Sequence, residues 1–292
     1  MESVSTTFKM FLLHKTSGIL KLSEEFVRIS DEDFVREATC LVDKAREKGV
    51  VLRVLGALAV YLHSRDHPEA FKLYNELQRF GEGKPKFTDL DLMAYSSQRD
   101  SVKNFFEKIV KFKPNIQVNA LFGYKRLVYS HPQNYYHVDV FFDKLEFSHD
   151  IFFGSKPGGG RLEADYPTIS LPDIFLTKLQ IHQMNVKDIV DLIILFAGHD
   201  INAETGRRVA DVLADDWGFW YDAITNLNKV KKYAESLRSD AKISSKLCEL
   251  IKERVDKLLA IIDGTPKTKN WLKRAKVGTS KPWYREVEEV VR

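Results

Sequence analysis

Between Asp31 and Gly49 apolar residues return every three or four positions. Phe34, Val35, Ala38, Leu41, Val42 and Ala45 line one face, acids fill the first turn and Gly49 closes it. The spacing predicts an amphipathic helix with Asp31 as N-cap and Asp33 as a first-turn acid. The pattern then changes. "VVLRVLG" (50–56) is mostly apolar, as a buried strand is, and turns at Gly56 into a helix, "ALAVYLHSRD". A short helix and a Gly/Pro loop follow over 67–86, and the alternating "FTDLDLMAY" (87–95) predicts a strand. A helix is expected over 99–112. Two strands rich in β-branched and aromatic residues follow, a long one that can bend (116–130) and "YYHVDVFFD" (135–143), joined by the turn "HPQN". "SKPGGG" (155–160) predicts a flexible loop, and Arg161 after it either reaches a substrate phosphate or ends a plain surface turn.

From residue 171 the pattern is helical only, over 171–184, 186–198, 203–214, 217–237 and 243–263. Strands mixed with helices and then helices alone predict an α+β fold: a mixed sheet with flanking helices, followed by an all-α C-terminal domain. The expected divisions are an N-terminal arm (1–30), a sheet-bearing domain (31–165) and a helical domain with a basic tail (166–292). Composition adds little beyond this. The 292 residues are 44% hydrophobic and 29% charged, which fits a folded globular chain. No apolar run approaches the ~20 residues that span a bilayer, and the N-terminus lacks the basic start of a signal peptide. A cytoplasmic protein with no membrane contact is expected, with Cys40 and Cys248 as buried or inert thiols.

Candidate chemistry begins with Asp89 and Asp91. The chain's 22 aspartates should yield Asp-x-Asp roughly 1.7 times by chance, and Asp31/Asp33 is a second copy, so setting must decide. On a strand, Asp89 and Asp91 share one face while Leu90, Leu92 and Ala94 share the other. Two carboxylates so close repel unless a cation or a basic group neutralises them. Asp139 lies on one face of the later strand and joins the pair if the two strands are close. Three carboxylates on neighbouring strands are what two divalent cations need, though exposed acids on a half-solvated sheet would show the same pattern. Gly56-Ala57, between strand and helix, places free N–H groups at a helix N-terminus, where an anion can bind.

In order, "VLRVLGALAVYLHS", "FTDLDLMAY" and "YYHVDVFFD" resemble the DNA polymerase β-like nucleotidyltransferase superfamily, with its glycine turn, Asp-x-Asp strand and third carboxylate. "PDIFLTKLQIHQMNVKDIVDLIIL" resembles the helical part of AbiEii-type, toxin-like nucleotidyltransferases, a Lys on one helix preceding an Arg/Lys-Asp-x-x-Asp motif on the next. Here these are Lys178, then Lys187-Asp188 and Asp191. The tail phrases "DDWGFWYDAITNL" and "WLKRAKVGTSKPWYREVEEV" resemble uncharacterised prokaryotic nucleotidyltransferase-like proteins. The turn departs from the superfamily in being Gly-Ala rather than Gly-Gly or Gly-Ser, and an insertion around 64–86 lengthens the path to Asp89.

The resemblance implies a nucleotidyltransferase-like mixed sheet and the transfer of an NMP from an NTP, such as ATP, to an acceptor hydroxyl. Asp89, Asp91 and Asp139 would bind Mg²⁺ or Mn²⁺, with Asp139 also helping to deprotonate the acceptor. Gly56 and Ala57 would cradle the triphosphate, Lys178 would neutralise it, and Asp191, ahead of Asp188, would be the further site carboxylate. The acceptor would be RNA (tRNA in particular), a protein hydroxyl or a small molecule. A toxin-like role would bring a cognate antitoxin. The alternative is a catalytically silent fold that binds nucleotide or RNA.

Two competing local readings remain. Asn185-Val-Lys-Asp188 also fits a helix-capping box, and Lys178 also fits a surface lysine. His131, His137 and His149 lack zinc spacing and read as structural. Between Gly264 and Arg285 lie seven basic residues and no acids, interleaved with Trp271, Trp283 and Tyr284. Lys267, Lys269, Trp271, Lys273 and Arg274 are therefore candidate RNA contacts, or else the tryptophans pack the tail onto the helices. "VEEVV" after them predicts a final ordered element.

Overall fold

A five-stranded mixed sheet organises the first half of the chain. The computed structural model describes residues 27, 29–77 and 85–286. Most of the expected N-terminal arm and the expected final element from 287 onward lie outside the described residues. In chain order the elements are α1 (Asp31–Glu47), β1 (Leu52–Val54), α2 (Gly56–Ser64), α3 (Pro68–Glu76), β2 (Asp89–Ala94), α4 (Arg99–Asn104), β3 (Lys113–Pro114), α5 (Ile116–Phe122), β4 (Arg126–Ser130), β5 (His137–Phe142), β6 (Lys144–Glu146) and β7 (Asp150–Phe152). The sheet order is β1-β2-β5-β4-β3, with β2 and β5 parallel and the other pairs antiparallel; β6 and β7 form a separate hairpin. Helices α6 (Leu171–Leu179), α7 (Val186–Gly198), α8 (Ala203–Asp215), α9 (Trp217–Ser239), α10 (Ser245–Gly264) and α11 (Lys269–Ala275) complete the fold. The architecture is the α+β arrangement that the apolar pattern predicts.

The sheet forms where alternation separates the faces. Leu90, Leu92, Ala94, Val138, Val140 and Phe142 are buried, and Phe106 stacks on Tyr129 of β4 with ring centroids 4.6 Å apart. Apolar packing continues without a break from Phe34 in α1 to Ile262 in α10. At the expected boundary the backbone is stitched to the sheet: Val54 N donates to Pro167 O (3.0 Å) and Ile169 N to Val54 O (3.0 Å).

Several boundaries differ from the pattern's expectation. Residues 116–122 are helix rather than the first half of a strand. Asn115 caps the helix by accepting from Val118 N, and Asn119 binds both the N–H and the C=O of Val128, so its amide docks α5 on β4. These side-chain bonds override the β-branched preference of the segment. Helix α6 stops at Leu179 instead of 184 because buried Asn226 donates to the carbonyls of Leu179 (3.0 Å) and Ile181 (2.8 Å). The expected helix over 99–112 is α4 followed by a π-helical turn at Phe105–Ile109. Ser30, not Asp31, is the N-cap of α1, accepting from Asp33 N. The Asp31 carboxylate instead accepts from Lys86 N, tying α1 to the segment that leads into β2. The glycine loop is held in place: a Cβ at Gly160 would lie 2.4 Å from the Tyr95 ring, and Arg161 is paired with buried Asp173.

Candidate active site

Parallel pairing of β2 with β5 sets Asp91 directly opposite Asp139, and Asp89 opposite His137. Because side chains alternate, one register places all three carboxylates on the same face of the sheet. Ligand oxygens of Asp89, Asp91 and Asp139 all lie within 4.8 Å of one another. Asp139 is wholly buried, whereas Asp89 and Asp91 are half-buried and face a cleft. Oxygen-only donors at this separation suit a hard divalent cation such as Mg²⁺ or Mn²⁺.

The cleft has a volume of about 310 Å³. Its walls bring together Gly56 and Ala57 from the start of α2, Asp89 and Asp91 from β2, Lys178 from α6, and Lys187 and Asp188 from α7. Gly56 has φ +71°, and a Cβ there would stand 2.7 Å from Asp91 Oδ2. The turn therefore needs glycine twice over, for its backbone and for the room that Asp91 occupies. Leu55 N donates to Asp91 O (3.0 Å), which fixes β2 against the turn. The first-turn N–H groups of α2 have no intrahelical acceptor, the N-cap Leu55 brings no capping side chain, and the first turn carries no acid.

Lys178 is buried, not a surface lysine. Its Nζ lies 2.6 Å from Asp191 Oδ2 and 3.1 Å from Asp188 Oδ1. The Asn185 cap is present, with Asp188 N donating to Asn185 Oδ1 at 3.2 Å, while the Asp188 carboxylate accepts from Lys178. Asp191 is fully buried behind the ammonium and does not line the cleft, whereas Asp188 does. The alternation of β2 and the Lys/Asp spacing of α6 and α7 thus lead to one place.

Sequence reasoning did not single out Arg126. Its Nε donates to Asp139 Oδ1 (3.0 Å) and its Nη2 lies 2.7 Å from Asp139 Oδ2, a two-pronged ion pair. The β4–β5 pairing, which sets Arg126 opposite Phe141 and Val128 opposite Asp139, makes it a diagonal neighbour of Asp139. A basic residue two places from that position on an adjoining antiparallel strand is the signal that would have found it. The β6–β7 hairpin, also unforeseen, contributes Leu145 and, through its turn, Phe147 to the cleft.

The tail folds back. Trp271 packs edge-on against Trp220 (5.2 Å), and the Arg274 guanidinium lies 4.9 Å from the Trp217 ring centroid while binding the carbonyls of Gly278, Lys281 and Pro282. Lys267 donates to Ile262 O and Thr265 O at the end of α10. Trp283 Nε1 donates to Asp222 Oδ1 (3.0 Å), and the other partners of Asp222 are His149 and His182. Burial pushes the Asp222 carboxyl up, but bonds from His149, Trp283 and His182 outweigh it and hold the group below the usual range. Of the five candidate RNA contacts, Lys267, Trp271 and Arg274 thus serve the packing of the tail, while Lys269 and Lys273 are exposed.

His149 is a buried partner of Asp222, and His131 faces Glu37 across 3.5 Å, as structural histidines do. Cys248 is buried and Cys40 is exposed. No described helix is long and apolar enough to cross a membrane. Family models, curated proteins and solved structures yielded no match to the chain.

Proposed function

We propose that this chain is a Mg²⁺-dependent (or Mn²⁺-dependent) nucleotidyltransferase that moves an NMP from an NTP to an acceptor hydroxyl. The observation that carries the reading is the convergence of three carboxylates within 4.8 Å beside a cleft whose walls include the N-terminus of α2 and a buried lysine. The full burial of Asp139, in register with Asp91, supports a built site over exposed acids on a half-solvated sheet.

Each residue has a role that follows from its position. The N–H groups of Gly56 and Ala57 receive triphosphate oxygens, and the missing side chain at Gly56 lets the backbone come close. Lys178 supplies a point positive charge at the cleft wall. Asp89, Asp91 and Asp139 would hold the cations, which when bound neutralise charge on the attacking and leaving oxygens. The acceptor oxygen forms a bond to the α-phosphorus, the bond from that phosphorus to the β-phosphate oxygen breaks, and pyrophosphate leaves. The acceptor's proton passes to Asp139. The acceptor class that fits the resemblance is RNA, tRNA in particular, or a protein hydroxyl, with a cognate antitoxin as the expected partner of a toxin-like enzyme.

A second reading has its own support. Lys178 reaches a triphosphate only by loosening its hold on Asp188 or Asp191, and both oxygens of Asp139 are engaged by Arg126. A fold locked in that way would bind nucleotide or RNA without catalysis. Incubation with each labelled NTP, Mg²⁺ or Mn²⁺, and total RNA or protein separates the two. The enzyme requires label transfer that disappears in Asp89→Asn and Asp91→Asn. Metal-independent binding of NTP or RNA with no transfer would overturn it in favour of the silent fold.

A further inference from the structure

The ion pair between Arg126 and Asp139 poses a problem for any cation at the carboxylate trio. A carboxylate offers about four lone-pair positions, and the arginine fork takes one on each oxygen of Asp139. A divalent cation on the same carboxylate would sit within a few ångströms of the guanidinium, and the two like charges repel. Asp139 would also have to accept a proton while both its oxygens are already bonded to nitrogen.

The two partners are not equally confined. Asp139 is completely buried, whereas the Arg126 side chain keeps 16% of its surface exposed. The guanidinium lies 5.1 Å from the Phe141 ring centroid and borders a second cleft, of about 490 Å³. That cleft is also lined by Lys125, Phe141, Phe147 and Phe122, so a planar cation turning into it keeps an aromatic face to lie on. Asp139 has no such route, because its strand is central in the sheet between β2 and β4.

We propose that Arg126 is an exchangeable counter-ion of Asp139. It holds the third carboxylate in place while no cation is bound, and yields at least one carboxylate oxygen by turning toward the second cleft when a divalent cation binds the trio. Arg126 is then a positioning residue that sets ion affinity, and this inference rests on the cation-site reading of the trio.

The test is Mn²⁺ binding to the full chain, read by the electron paramagnetic resonance of free Mn²⁺, with thermal unfolding followed in parallel. Arg126→Gln removes the competing charge and is expected to bind Mn²⁺ about tenfold or more tighter than the unsubstituted chain. It should also melt earlier in the absence of ion and recover more when Mn²⁺ is added. Arg126→Lys, which keeps a charge but loses the fork, should fall between the two. In an Asp139→Asn background, where the fork no longer holds a carboxylate oxygen, Arg126→Gln should tighten Mn²⁺ binding less than it does alone. A folded Arg126→Gln protein that binds Mn²⁺ equally or more weakly overturns the proposal. If Arg126→Gln does not fold, Arg126→Lys decides: tighter binding supports exchange and equal or weaker binding refutes it. No Mn²⁺ binding by either the unsubstituted chain or Arg126→Gln, or binding left unchanged by Asp91→Asn, would instead remove the cation site itself. Binding that needs Asp91 but ignores Arg126 would sink the exchange alone.

Discussion

Gly56→Ala tests whether the turn and the carboxylates form one construction. The substitution carries two separable costs. Holding a non-glycine residue at φ +71° costs about 1–2 kcal/mol. The new Cβ would also stand 2.7 Å from Asp91 Oδ2, roughly 0.6 Å inside an ordinary ~3.3 Å C···O approach. Either the turn deforms, adding about 1–3 kcal/mol, or Asp91 swings away and leaves the trio. Gly49 supplies the control, since it has φ +73° and nothing within 4 Å of an added Cβ. Gly49→Ala should therefore show the backbone cost alone, about 1–2 kcal/mol in urea unfolding, with Mn²⁺ affinity unchanged. Gly56→Ala should either exceed that cost or match it while losing Mn²⁺ affinity about tenfold or more. Removing the obstructing carboxylate in Gly56→Ala/Asp91→Ala should bring the stability cost of Gly56→Ala back to the Gly49→Ala value. A Gly56→Ala protein that matches Gly49→Ala in stability and binds Mn²⁺ like the unsubstituted chain would refute the link between turn and carboxylates.

Two further outcomes follow from buried groups. Lys178→Met strands the carboxylates of Asp188 and Asp191 beside an apolar side chain. It should cost about 3–5 kcal/mol, with part of that loss recovered in Lys178→Met/Asp191→Leu; urea denaturation of the single and double variants measures both. His199 is half-buried, and burial, with the nearby His67 and His63, lowers it to about 4. An imidazole depressed in the folded state favours folding fully above its unfolded value of ~6.5 and loses that contribution as pH falls from there toward 4. The full shift is worth about 3 kcal/mol, and partial exposure reduces the expectation to about 2 kcal/mol. Urea midpoints between pH 7 and 4 should fall less steeply in His199→Asn than in the unsubstituted chain, and parallel slopes would rule the contribution out.

What the sequence by itself determined was mostly local. The alternation of "FTDLDLMAY" placed Asp89 and Asp91 on one strand face, and Asn185 and Gly56 marked helix starts through capping and backbone geometry that a few neighbours settle. The two Asp-x-Asp copies were also separable by their surroundings, although the cap of α1 is Ser30, through a local bond from Asp33 N, and the tertiary structure gave Asp31 a distant partner in Lys86. Segments whose conformation depends on distant groups were not legible. Helix α5 exists because Asn119 finds Val128, and α6 ends where it does because Asn226, some 45 residues on, claims its carbonyls. Nor does any local pattern reveal that β2 and β5 run parallel in the register that faces Asp91 with Asp139, and Arg126 stands out as a partner of that carboxylate only once the β4–β5 register is known. Strand register and buried charge pairs are long-range choices, set by which faces the whole core can bury together, and so only the folded chain could decide them.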